Sequence, residues 1–140
     1  MKKKEKKFTV SLQINEHCMP DKTPMYQVYF NDLLQTDWNL LTCTIGQHNI
    51  KIKLLNKNSS TDTMVDDQGK VIHDLAIELS CLKINQFDIT HNAKEHAVYI
   101  DEQGITVGNT YGYMYKNGTL NISFTCPAFY HTRNLNLIKE

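Results

Sequence analysis

The chain has 140 residues, with 41% apolar and 21% charged side chains. These are values of an ordinary folded domain, large enough to bury a core without a staple or a structural metal. Fifteen basic and fifteen acidic residues cancel to a formal charge of zero, which excludes a broad electrostatic attraction to nucleic acid. No stretch approaches the roughly 20 apolar residues of a membrane span.

The first seven residues, "MKKKEKK", carry five lysines and read as a solvated basic arm, 1–7. So short an arm offers few contacts to a phosphate polymer. The domain proper then covers 8–140. "KFTVSLQIN" alternates, with Phe8, Val10, Leu12 and Ile14 on one face, so it predicts a half-buried strand rather than the apolar core of a signal peptide. Folding in a cytoplasm is the expectation that follows. "MYQVYFND" is aromatic and β-branched and predicts a second strand, while "FNDLLQTDWNLL" is the best candidate for a short helical turn capped by Asn31 or Asp32. "NIKIKLLNK" alternates through Ile50, Ile52 and Leu54. "DDQG", Asp66 to Gly69, predicts a tight turn in which the glycine supplies a positive φ.

In "DLAIELSCLKINQFDI" the alternation changes phase. Leu75, Ile77, Leu79 and Cys81 occupy one set of positions and Leu82 and Ile84 the other. An inserted residue near Cys81-Leu82, a β-bulge, would bring both sets to the core; a strand covered on both faces is the alternative. Asn85-Gln86 then reads as a turn. Asn117-Gly118 in "YGYMYKNGTLNISF" predicts a type I′ hairpin joining two strands, and Pro127 ends the second. The sum is an all-β chain: a single-domain antiparallel β-sandwich, jelly-roll-like, with at most one short helical turn.

Chemistry is harder to find. No G-x-S-x-G, H-E-x-x-H or phosphate-binding glycine loop occurs. The closest histidines, His91 and His96, share neither a helical nor a strand face at that spacing, so the reading is non-enzymatic. Cys18, Cys43, Cys81 and Cys126 are widely spaced with no C-x-x-C pair. That spacing argues against zinc and for four free thiols in a reducing compartment. Asp62, Asp66, Asp67 and Asp74 form an oxygen-rich stretch that makes calcium the one cofactor to consider, although the EF-hand spacing is absent; an ordinary polar connection is the plainer reading. Tyr111, Tyr113 and Tyr115 alternate, so a strand there would line up three rings, and Trp38 sits in a loop-like "TDWN". Such a row serves a core, a subunit interface or a glycan platform.

Two segments carry a resemblance. One is "NKNSSTDTMVDDQGKVIHDLAIELSCLKINQFDIT", Asn56 to Thr90. The other is "YKNGTLNISFTCPAFYH", Tyr115 to His131. With its D-x-x-G turn, apolar strand and N-G step leading to C-P and aromatics, the pair resembles small all-β domains encoded by tailed phages of marine and cyanobacterial type. Those domains are similar to the jelly rolls of carbohydrate-binding modules. The resemblance implies a virion component, a capsid or tail accessory subunit that packs against itself and other virion proteins, with a carbohydrate-binding module as the alternative.

Overall fold

A computed structural model describes residues 6–127. Two antiparallel sheets face each other across one core. The first has the order β12 (Tyr113–Met114), β8 (Ala76–Ile84), β1 (Lys7–His17) and β4 (Leu40–Thr44), with β9 (Phe87–Asp88) also paired to β8. The second has the order β11 (Thr106–Gly108), β10 (Val98–Asp101), β13 (Gly118–Cys126), β5 (Gly46–Leu54), β2 (Tyr26–Phe30) and β3 (Leu33–Gln35). A separate two-stranded hairpin pairs β6 (Thr63–Val65) with β7 (Val71–Asp74). One short helix, α1 (Thr90–His96), buries Ala93 and contacts β8 and β13, one strand from each sheet. The all-β antiparallel sandwich expected from the alternation is thus the architecture found. Of the expected basic arm, residues 1–5 lie outside the described residues and Lys7 already belongs to β1. The aromatic residues after Pro127 also lie outside them.

The core follows the period-two pattern. Phe8, Val10 and Leu12 of β1 are buried, as are Ile50, Ile52 and Leu54 of β5 and Leu120, Ile122 and Phe124 of β13. Alternate side chains of a strand face opposite sides, so the lysines and asparagines between them line the outer faces. Ile14, toward the end of β1, is only partly covered.

The phase change in β8 is a bulge. Gln13 pairs with Cys81 and the next residue, Ile14, pairs with Leu79, so Ser80 is the extra residue. Ile77 and Leu79 before it and Leu82 and Ile84 after it are all buried. If the same sequence ran as a regular ladder, with Ser80 paired rather than bulged, one of those sets would point outward. The turn that follows has Asn85 at φ 53°, a left-handed conformation that asparagine tolerates.

Two local expectations fail. The helical turn at Phe30 to Leu41 is not formed. Asn31 and Asp32 have φ of 50° and 68°, both left-handed, and make a tight hairpin turn between β2 and β3. Residues that suit a helix cap also suit consecutive positive φ, and strand pairing with β5 decides between them. Among the described residues the one helix lies instead at Thr90–His96. Nor does Asn117-Gly118 close a hairpin. Tyr113 and Met114 pair with Glu78 and Ile77 in the first sheet, whereas Gly118 opens β13 in the second. The chain crosses between sheets here. Asn117 uses its side-chain amide as a strand would, accepting from Lys57 N at 2.7 Å and donating to Lys57 O at 2.9 Å. Gly118 is needed for close approach: a Cβ there would meet the Ile100 carbonyl oxygen and lie 2.9 Å from Asp101 Cα.

Candidate functional site

The β6–β7 hairpin and the cleft at its root form the most distinctive surface. Asp66 organises the turn: its Oδ1 accepts from Gln68 N and Lys70 N, both at 2.9 Å, and its carbonyl accepts from Gly69 N at 3.0 Å. Gly69 has φ 80°, as the "DDQG" reading requires. Asp67 is exposed in the same turn. The strands carry Met64 (40% exposed), Val65 (54%), Val71 (52%) and Ile72 (52%). So apolar a hairpin, with all four of these side chains in solvent, gains nothing from the core.

Its root, in contrast, is locked by charge. Lys57 is buried; its Nζ donates to Asp74 Oδ1 and, at 2.7 Å, to the Leu75 carbonyl. Asp74 also accepts from Thr63 Oγ1 at 2.8 Å and from the Tyr113 hydroxyl at 3.0 Å. Asp62 accepts from Lys22 Nζ at 2.6 Å and from Asn58 N at 2.8 Å. The Lys22 bond and then the Asn58 amide hold the Asp62 carboxyl below its ordinary value. Asp62 and Asp74 are therefore spent on lysines, and Asp66 on its turn. The four aspartates do not converge as a calcium site; the acidic run is a structural connection.

Between the hairpin root and the end of β1 lies a cleft of about 410 Å³, lined by Glu16, His17, Ile72, His73, Asp74 and Tyr113 among others. His17 is held by Glu78 at 2.9 Å and packs against Tyr113, ring centroids 5.5 Å apart. Burial, then the Asp74 charge, raises the Tyr113 hydroxyl above its ordinary pKa. That phenol is a neutral donor at any physiological pH. The cleft is mostly polar, and within it the Tyr113 hydroxyl is already bonded to Asp74.

The expected tyrosine row is not assembled. Tyr111 has φ 54° and Gly112 φ 81°, which breaks the alternation. Tyr111 bonds His91 on α1 and lies 5.2 Å from the Lys94 ammonium. Tyr113 faces the cleft. Tyr115 meets Tyr99 edge-on at 6.0 Å. Tyr99 itself is fully buried, its hydroxyl pushed up to about 12 by desolvation, and it clasps the crossing segment through Lys116 N and O. Trp38 is partly buried against the core, 6.0 Å from Tyr26.

At the other end of the sandwich the fold gathers residues that the sequence leaves far apart. Cys43 of β4 and Cys126 of β13 are buried with their sulfurs 2.9 Å apart. Burial pushes the Cys126 thiol up to about 12 and raises that of Cys43 as well. His48 of β5 lies between Phe30 and Phe124, ring centroids 5.6 and 5.8 Å away. Among the described residues, these three are the one group of histidine, cysteine and acidic side chains whose ligand atoms lie within 4.8 Å of one another. All four cysteines are free thiols, with Cys18 exposed. Wide spacing conceals the group in the sequence, because β4 and β13 belong to different sheets. Lys57 and His17 are also invisible there: nothing in a lone lysine or histidine announces its partner.

Among the described residues, no helix is long and apolar enough to cross a membrane. No family model, curated protein or solved structure matches the chain.

Proposed function

We propose that this protein is a non-enzymatic interaction module that packs against copies of itself through the β6–β7 arm. The carrying observation is the arm: four exposed apolar side chains on a hairpin whose root is fixed by the Lys57–Asp74–Thr63 bonds. An isolated two-stranded hairpin is marginal in water, and clustered exposed apolar groups mark surfaces that meet another molecule. A formal charge of zero leaves no long-range repulsion between copies. The resemblance to tailed-phage domains makes this a capsid or tail accessory subunit, folded in the host cytoplasm and then built into a virion beside other virion proteins. The glycan-binding alternative requires a shared aromatic platform, and the three tyrosines instead serve three separate neighbours.

Light scattering coupled to size exclusion tests the reading. Wild-type protein is expected to elute above monomer mass with rising concentration, as an interface beyond about 1,000 Å² would produce. The Val71→Asp/Ile72→Asp variant should run as a monomer with unchanged thermal stability, because neither side chain touches the core. A wild-type monomer at high concentration, absent from purified particles by mass spectrometry, would overturn the proposal.

A further inference from the structure

We propose that Cys43, His48 and Cys126 form a metal centre of zinc class that clamps the two sheets together. Thiolate sulfur and imidazole nitrogen are the donor set that zinc prefers, and three protein ligands plus a solvent position is an established zinc arrangement. The ligand atoms already lie within 4.8 Å of one another. Two sulfurs on a tetrahedral zinc, each bond about 2.3 Å, sit about 3.8 Å apart. The 2.9 Å pair therefore opens by about 0.9 Å on binding.

The histidine supplies the second observation. Its Nε2 donates to the Thr44 carbonyl at 2.7 Å, and its Nδ1 accepts from Asn31 Nδ2 at 3.0 Å. Ligation through Nδ1 would give up the Asn31 bond and leave Nε2–H donating to the Thr44 carbonyl to orient the ring, the usual outer-shell arrangement of a metal-bound histidine. His48 is only partly buried, so an ion has a way in. Binding is balanced by release of two protons: each thiol yields one to solvent, and two S–metal bonds and one N–metal bond form. A disulfide between the same sulfurs would need an oxidant and would leave the convergence of His48 without a role.

The test is a Co²⁺ titration of the full chain, purified under reducing conditions, followed by Zn²⁺ displacement. One equivalent should give thiolate-to-cobalt charge-transfer absorption and tetrahedral visible bands, both abolished by zinc. In wild-type protein labelled in sub-denaturing urea, where the zinc-free core opens, zinc should also protect the Cys43 and Cys126 peptides, but not Cys18, from maleimide. His48→Gln, at a partly exposed position, should keep the fold and weaken Co²⁺ binding at least about tenfold. Cys126→Ser should abolish the charge-transfer band; if that variant fails to fold, the maleimide map on wild type decides alone. Absent bands, bands that persist with Cys43 and Cys126 still alkylated, or a mass loss of two hydrogens reversed by reductant would each overturn the proposal.

Discussion

Lys57 is the residue on which the hairpin root turns. Its side chain is 2% exposed and that of Asp74 is 16% exposed, so the pair sits where water screens little. Burying a charge is tolerated only with a partner. Lys57→Met would strand Asp74, and the expected loss is about 3 kcal/mol, at the low end for a broken buried pair because Asp74 keeps Thr63 and Tyr113 as donors. Urea denaturation measures it. The double variant Lys57→Met/Asp74→Asn should recover part of that loss, since neither charge is then left alone. Additive losses would show that the ion pair is not what holds the root. None of this is legible in "NKNSS" or "VIHD": a sequence displays the charge of a lysine but not the seventeen-residue reach to its partner. Tyr113 shows the same limit. Its spacing from Tyr111 and Tyr115 suggested one face, yet the left-handed backbone at Tyr111 and Gly112 sends each ring elsewhere.

At the level of elements, β8 was the most legible part of the chain. The phase slip in its apolar residues marked a bulge, and the bulge lies at Ser80, one position before the expected Cys81-Leu82 step. Deleting Ser80 would remove the bulge and leave Ile77, Leu79, Leu82 and Ile84 in strict alternation on one face, so it should cost little. Deleting Asn121 from the regular strand β13 would instead turn Ile122 and Phe124 away from the core; at about 1.5–3 kcal/mol for each side chain exposed, the loss should reach about 3–6 kcal/mol, read as a fall in urea midpoint or in soluble yield. A deletion at Gln68, in the exposed turn of the arm, should cost far less. The arm also carries a pH dependence. Asp62 has a lowered pKa in the folded protein, so the unfolded chain binds the proton more readily. Its contribution is therefore present above the ordinary value of 3.8 and is lost as pH falls through and below it. Asp88, lowered by Thr90, acts in the same direction. Wild type should lose more stability than Asp62→Asn between about pH 6 and pH 3; equal losses would remove the Lys22 bond as a source of acid sensitivity. The helix and the crossing segment were not legible. "THNAKEH" is only seven residues long, too short for a helical period to declare itself. Asn117-Gly118 is a strong hairpin signal that long-range pairing with Lys57 overrides.

For the molecule as a whole, the two sheets share one core, with α1 laid across both and the 115–117 segment passing between them. Such a unit should unfold in one step. Fluorescence of Trp38, which rests on that core, and far-ultraviolet circular dichroism should report coincident midpoints; an earlier transition in either would mean that one sheet melts alone. Fold class was readable because period-two alternation is a local pattern repeated in many strands. The site was not, because an exposed apolar arm and a converging Cys–His–Cys group are products of how strands are ordered, and strand order is not written in any one segment.

The outer strands bear on how large any assembly of this chain can grow. Four of the five, β3, β9, β11 and β12, have only two or three residues, and the fifth, β4, has five. A ladder that brief gives a neighbouring backbone little to zip onto, so runaway fibre growth from the sandwich flanks is disfavoured. Copies that meet through a projecting finger of fixed direction instead inherit a defined angle between neighbours. A contact of that kind closes into a ring when its rotation divides a full turn and runs on as an open helix when it does not.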